Sequence, residues 1–166
     1  MSEYVRDLRA RIGTTVLEIP TVSVIVRDAR DRVLLVRHVE GNVWTTPGGM
    51  IEPYELPADT ALREMWEETG LVVALDRIVG VFGGPPCSGT YANGDKVSFV
   101  STVFTAHVIG GTMRPDGEET LELRYFAREE LEGAPVRPHV RLYLDAAWGP
   151  ESAPRFQPPT WRPPET

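Results

Sequence analysis

The sequence predicts an α/β fold in which a mixed β-sheet is sandwiched between helices. Strand-like segments come first, one long amphipathic helix follows them, and further strands and a second helix complete the order. The regular alternation of strands and helices that builds a doubly wound sheet is missing. The chain has 166 residues, of which 42% are hydrophobic and 25% charged, values that are ordinary for one globular domain.

The first third of the chain is predicted to contain a helix and a hairpin. Its elements are a short helix or frayed arm at 3–11, an extended segment at Val16–Val26, a polar turn at 28–31, a strand at Val33–Val36 and a loop at His38–Thr46. Val16–Val26 is apolar and β-branched, with Pro20 at a strand start or an edge. The turn between two such segments predicts a hairpin over residues 22–37.

The clearest helix is predicted over residues 57–69. Pro57 suits the first turn, where its missing N–H costs nothing, and Gly70 suits the position just after the last turn. Apolar residues recur at helical spacing, at Ala58, Ala61, Leu62 and Met65. This helix should therefore bury one face.

The second half of the chain is predicted to consist mainly of strands. The pattern gives strands at Leu71–Leu75, Ile78–Phe82, Lys96–Val108 and Leu121–Phe126, a loop at Gly83–Gly94, a helical turn at Ala127–Leu131 and a helix at Pro138–Ala147. Residues 1–148 are therefore expected to form one domain. Residues 149–166 hold six of the 15 prolines without periodicity, which predicts a proline-rich C-terminal tail.

Composition disfavours several classes of protein. A single cysteine cannot form an internal disulfide, which suits a reducing compartment. No apolar run approaches the length of a membrane span, and the charged N-terminus lacks the apolar core of a secretory signal. The net charge of −7 comes without a basic cluster. We expect a cytoplasmic protein with no nucleic-acid or membrane partner.

Negative charge is concentrated around the predicted helix. Residues 49–71 hold six acids and one base, Arg63. Glu64, Glu67 and Glu68 fall on one helix face, where like charges repel by a few tenths of a kcal/mol per pair. Two explanations stay open: a solvated helix face, or a site where a divalent cation such as Mg²⁺ takes carboxylate ligands.

The spacing of these residues forms a longer pattern. Its fixed positions are Gly49, Glu55, Arg63, Glu64, Glu67, Glu68 and Gly70, with apolar Met65 and Leu71. This resembles the 23-residue signature of the Nudix hydrolases, the MutT-like family, at every fixed position. The likeness extends over about residues 16–145. It implies the Nudix fold and hydrolysis of a nucleoside diphosphate linked to another group, with Mg²⁺ or Mn²⁺.

The resemblance also implies roles for individual residues. Metal ligands would be Glu64, Glu67, Glu68 and the Gly48 carbonyl. Arg63 would orient the carboxylates, and Glu55 would brace the loop and helix. Arg37, Trp44 and Gly49 are predicted to contact the substrate, with packing of Trp44 beneath the metal loop as the favoured alternative for that residue. The proton of the attacking water would go to Glu64 or to a later glutamate, with Glu119 and Glu122 favoured over Glu118.

The substrate is less well defined by the sequence. The resemblance favours a nucleoside triphosphate or related nucleotide, with ADP-ribose or another nucleotide sugar as the alternative. A nucleotide sensor without catalysis and a diphosphate isomerase using Cys87 stay open as other classes. A homodimer is possible. His139 could reach the site if the last helix packs there.

Overall fold

Two β-sheets with packed helices make up the described part of the chain, residues 3–149 and 153–157 of a computed structural model. The helices are α1 (Glu3–Ile12), α2 (Pro57–Thr69) and α3 (Pro138–Ala147). The strands are β1 (Leu17–Val26), β2 (Val33–His38), β3 (Val43–Thr45), β4 (Leu71–Phe82), β5 (Ser88–Thr90), β6 (Lys96–Gly111), β7 (Thr120–Phe126) and β8 (Arg155–Phe156). Short 3-10 turns lie at Glu40–Asn42, Pro85–Cys87 and Arg128–Leu131.

The larger sheet is mixed, in the order β1-β6-β4-β8, with β5 paired to β6. β1 runs parallel to β6, and β4 runs antiparallel to it. The smaller sheet is antiparallel, in the order β3-β2-β7. The predicted α/β class is confirmed. The prediction named one mixed sheet, whereas the structure contains a second, antiparallel sheet as well.

The predicted hairpin over residues 22–37 is wrong. β1 and β2 belong to different sheets, and one antiparallel bridge, Arg27 with Val33, joins them. The turn itself is real, because the Asp28 carboxylate accepts hydrogen bonds from the backbone N–H groups of Arg30 and Arg32 at 2.9 Å. The turn thus reverses the chain and passes it from one sheet to the other.

Helix α2 has the predicted bounds. Pro57 occupies its first turn, and Gly70 ends it with a φ of +68°, donating its N–H to the Trp66 carbonyl at 2.9 Å. Ala61 and Met65 are fully buried against β1 and β4 in one hydrophobic core cluster. Burial of this face leaves the glutamates of α2 directed toward the loop that precedes it.

Several strands differ from the prediction, including β5, which lies within the expected loop at Gly83–Gly94. β4 is one strand with irregular pairing near Asp76, where two strands were expected. The expected loop at His38–Thr46 contains β3, whose Trp44 N–H donates to the Pro135 carbonyl at 2.8 Å. β6 continues to Gly111, beyond the expected end at Val108.

The predicted tail is partly ordered on the body. β8 adds to the edge of β4 in parallel, and the Gln157 side chain bonds both the N–H and the carbonyl of Gly83, at 2.8 and 3.0 Å. Residues 150–152 and 158–166 of the tail lie outside the described residues, so its division from the domain at residue 148 stays a prediction. Among the described residues, no helix combines the length and apolar character needed to cross a bilayer.

Candidate active site

A cavity of about 650 Å³ opens over β1 and β6 of the mixed sheet. Its walls come from α2, from the loop between β3 and α2, from the loop before β7 and from the start of α3. The predicted site residues that line it are Gly48, Gly49, Arg63, Glu64, Glu67, Glu68 and Glu119. Its volume is typical of sites for small molecules.

The loop between β3 and α2 is fixed along the outer edge of β1. The Val22 N–H donates to the Gly49 carbonyl and the Val24 N–H to the Pro47 carbonyl, both at 2.9 Å. Gly48 has a φ of +146°, and a Cβ there would overlap the Val22 carbonyl oxygen. Glycine is the residue that permits this close backbone contact.

Glu68 is a carboxylate buried at the joint between loop and helix. Its side chain is 7% exposed, and the Gly48 N–H donates to it at 3.0 Å. Burial raises the pKa of Glu68 well above its usual range, and the charges of Glu64, Asp116 and Glu119 raise it further. A buried carboxylate with one such bond is costly, so this position favours a cation nearby.

The Arg63 guanidinium joins three carboxylates. It donates in a fork to Glu55 at 2.9 and 3.0 Å, and its Nη1 donates to Glu64 and Glu67 at 2.8 Å each. The hydrogen bonds from Arg63 lower the pKa of Glu55 to about 2. Burial raises the pKa of Glu64 although Arg63 opposes the effect. Arg63 therefore holds Glu55 firmly and restrains the other two glutamates.

The carboxylates of α2 are chemically suited to a divalent cation. Glu64, Glu67 and Glu68 offer oxygen donors from one ridge, and the Glu64 carboxylate fills the space that a Cβ on Gly49 would need. Hard cations prefer such ligands. Within the described ranges, however, no three acidic, His or Cys side chains converge on one point. Glu67 is half exposed and bonded to Arg63, so a shared ion would require it to turn.

A second group of acidic residues, on the turn before β7, lines the same cavity. Asp116 accepts three backbone hydrogen bonds, from the N–H groups of Glu118, Glu119 and Thr120, at 2.7, 3.0 and 2.9 Å. Val39 donates its N–H to the Glu119 carbonyl at 2.9 Å, which ties the turn to β2. The sequence reasoning missed Asp116, although the Asp116-Gly117 pair is a recognisable turn signal.

Three predicted site residues are not brought to the cavity. Arg37 bonds Glu122 at 2.9 and 3.0 Å, because these residues are paired across β2 and β7, and it also bonds Asn42 at 2.7 Å. Trp44 is 7% exposed and packs edge-on against Phe126 with ring centroids 4.7 Å apart. Arg37, Trp44 and Glu122 thus lie outside the cavity lining, and the substrate contacts of the first two and the base role of Glu122 stay predictions.

The part of the lining away from the carboxylates was mostly unexpected. It contains the rings of Tyr91, Phe99, His139 and Tyr143, together with Arg137. The sequence predicts that His139 can reach the site if the last helix packs there. The other four residues carry no local sequence signal that points to a site. Their meeting depends on the packing of α3 against β4.

A family model and individual relatives both indicate one family for this chain. The model of the NUDIX domain matches residues 17–145. A MutT-like protein from Streptomyces ambofaciens is 33% identical over 131 residues, which cover 79% of this chain and 77% of that protein. A putative 8-oxo-dGTP diphosphatase from Bacillus subtilis (strain 168) is 32% identical over 108 residues, or 65% of this chain and 66% of that protein.

A solved structure shows the same fold. The crystal structure of an ADP-ribose pyrophosphatase from Streptococcus suis 89-1591 aligns with a TM-score of 0.66 at 21% identity, covering 84% of this chain and 98% of that one. The Nudix fold expected from the resemblance is confirmed. Together with the domain match over most of its length, this places the chain in the Nudix family, as a Nudix hydrolase.

Proposed function

We propose that this Nudix hydrolase cleaves a diphosphate linkage in a nucleoside triphosphate or related nucleotide, with Mg²⁺ or Mn²⁺ as cofactor. The observation that carries the proposal is the acidic ridge of Glu64, Glu67 and Glu68 at the wall of a cavity of about 650 Å³. Nudix hydrolases generally use divalent metal ions, and Nudix pyrophosphatases act on small nucleotides. Which metal and which nucleotide are used here belong to the proposal.

The metal would be held by the carboxylates of Glu64, Glu67 and Glu68 and by the Gly48 carbonyl. When bound, a divalent ion neutralises diphosphate charge and lowers the pKa of coordinated water. The buried Glu68, with its raised pKa, supports this assignment because a cation would offset the cost of its charge. Arg63 positions the ridge by restraining Glu64 and Glu67.

Glu119 is our choice for the residue that takes a proton from the attacking water. It lines the same cavity as the ridge, and its negative charge adds to the effects that raise the pKa values of Glu64 and Glu68. The alternative base, Glu64, accepts a hydrogen bond from Arg63 at 2.8 Å and is assigned here to the metal. Asp116 fixes the turn that carries Glu119.

The nucleoside triphosphate is favoured by the name of the Bacillus subtilis relative, which refers to a modified deoxynucleoside triphosphate. The named activity of the Streptococcus suis protein keeps ADP-ribose as the second candidate. We infer a catalytic protein rather than a sensor, because every acidic position of the ridge is retained.

A coupled phosphate-release screen tests the proposal. Inorganic pyrophosphatase converts the pyrophosphate released from nucleoside triphosphates into phosphate, and alkaline phosphatase releases phosphate from the monoesters formed when a bridged diphosphate is cleaved. The full chain is incubated with Mg²⁺ or Mn²⁺ and with nucleoside triphosphates, oxidised nucleotides, ADP-ribose, dinucleotide polyphosphates or nucleotide sugars. We expect one substrate class to lead, and Glu67→Gln to lose on the order of 100-fold in kcat. Asp59→Asn serves as the matched control, because Asp59 is an exposed acid on the first turn of α2 outside the cavity.

The outcomes separate the alternatives. Turnover led by ADP-ribose would replace the favoured substrate. Turnover of no compound with either metal would overturn the hydrolase proposal for these substrates and support a sensor. The base assignment has its own test: Glu119→Gln should lower kcat by about 100-fold. A larger loss in Glu122→Gln would refute the assignment.

A further inference from the structure

The cavity has two chemically different ends. The acidic end consists of Glu64, Glu67 and Glu68, faced by Glu119. We call the other part the aromatic end, which consists of Tyr91, Phe99, His139 and Tyr143. A smaller pocket of about 160 Å³ adjoins the aromatic end and shares the first three of these residues, but none of the carboxylates of α2. The aromatic end therefore extends the cavity beyond the ridge, and Arg137 lines both pockets beside it.

His139 is held firmly at this end. It lies in the first turn of α3, after Pro138, and its ring packs against that of Tyr143 with the centroids 5.4 Å apart and the planes tilted by 41°. Tyr143 is 2% exposed and lies on the core, with its hydroxyl 3.6 Å from the Cys87 sulfur. The preceding residue is tied down as well, because the Arg137 N–H donates to the Trp44 carbonyl at 3.1 Å.

The imidazole of His139 is an unused polar group. Among the described residues, neither ring nitrogen has a hydrogen-bond partner, yet the residue lines both pockets. Burial, with a smaller effect from Arg137, lowers its pKa to about 4. At neutral pH the ring is thus uncharged and offers one N–H donor and one nitrogen acceptor.

These properties define what the aromatic end can accept. Arg137 lines both pockets and supplies a cation at this end, while the neutral imidazole of His139 supplies one donor and one acceptor among aromatic rings. A heterocyclic base has flat faces that pack on aromatic rings and an edge with donors and acceptors. The chemistry at this end matches the base.

We propose that His139 is a specificity-determining residue that hydrogen-bonds the edge of the nucleotide's heterocyclic base. The inference rests on the proposed function, since it deepens the identity of the substrate at the same site. The rings of Phe99 and Tyr91 form the apolar surroundings of the base. The diphosphate then extends toward the acidic ridge, so that one cavity holds both parts of a nucleotide.

The experiment measures binding rather than turnover. Isothermal titration calorimetry of the full chain in EDTA gives the Kd values of AMP, GMP, CMP and UMP, with ribose 5-phosphate as the probe that lacks a base. His139→Phe keeps an aromatic ring and removes both nitrogens. His107→Phe is the matched control, because His107 lies on β6 outside the cavity, paired with Asp76 at 2.6 Å.

We expect the wild type to bind at least one of the four nucleotides more tightly than ribose 5-phosphate. His139→Phe should weaken that binding about tenfold, as expected for one lost hydrogen bond, and reduce the differences among the bases. Ribose 5-phosphate and His107→Phe should show no change. Equal binding with and without a base, or an unchanged Kd in His139→Phe, would overturn the inference. Base-selective binding without hydrolysis in the substrate screen would instead overturn the proposed function alone.

Discussion

Replacement of Gly48 by alanine tests whether the contact of its loop with β1 holds the acidic ridge in place. The new Cβ would overlap the Val22 carbonyl oxygen, and the φ of +146° strains an L-residue by roughly 1–3 kcal/mol. Relief requires the loop to move, which breaks the bonds from Gly48 to Glu68 and from Val22 to Gly49. These are worth roughly 1.5–3 and 0.5–1.5 kcal/mol. Because water forms hydrogen bonds with the freed groups and replaces part of this loss, we expect the free energy of unfolding to fall by about 4 kcal/mol in total.

Urea denaturation followed by tryptophan fluorescence measures the free energy of unfolding of this variant. A loss of about 4 kcal/mol corresponds to a fall in Tm of about 10 °C for a chain of this size. Gly133→Ala is the matched control, because a Cβ at Gly133 would meet no atom within 4 Å. It should change stability by less than about 0.5 kcal/mol. A loss below about 1 kcal/mol in Gly48→Ala, or one equal to the control's, would refute the reasoning.

Three further predictions concern the same region. Glu55 has a pKa lowered to about 2, so its ion pair with Arg63 contributes about 2–3 kcal/mol to the free energy of unfolding above pH 4.5. This contribution is lost as the pH falls toward 2. Glu55→Gln should therefore flatten the pH dependence of the free energy of unfolding over this range. Glu68→Gln removes a buried charge, so we expect a higher Tm without metal and a smaller rise in Tm on adding Mg²⁺ than in the wild type; an undiminished rise would contradict a role in metal binding. Trp44→Phe should leave the KM for nucleotide within twofold while lowering stability, because the indole packs on Phe126; a large change in KM would restore the substrate role.

The sequence was most informative where local chemistry decides the structure. Helix α2 could be bounded to the residue because Pro57 and Gly70 act within their own turns. The ridge of glutamates followed from the helical period alone. The signature then identified the family, because it combines several residue types at fixed distances.

The missed features depend on partners far away in the chain. β3 is three residues long and exists through its pairing with β2, so no periodicity could reveal it. The pairing of Arg37 with Glu122 follows from the register of β2 and β7, which the sequence does not encode locally. The passage of the chain from the larger sheet to the smaller one after β1 is also decided by long-range strand pairing, because β2 forms its sheet with β3 and β7 and not with β1. Polar turns mark a reversal, but they do not select the strand that receives the chain.

The position of the loop between β3 and α2 along β1 limits how far that loop can move. β1 is the edge strand of the mixed sheet, and the loop hydrogen-bonds its outer side through Val22 and Val24. Opening the loop would uncover a valine-rich edge able to pair with another chain, which is an aggregation hazard. The loop therefore cannot serve as a movable lid without cost. The turn before β7 and the start of α3 line the same cavity without covering this edge, so changes in those segments leave the edge of β1 protected.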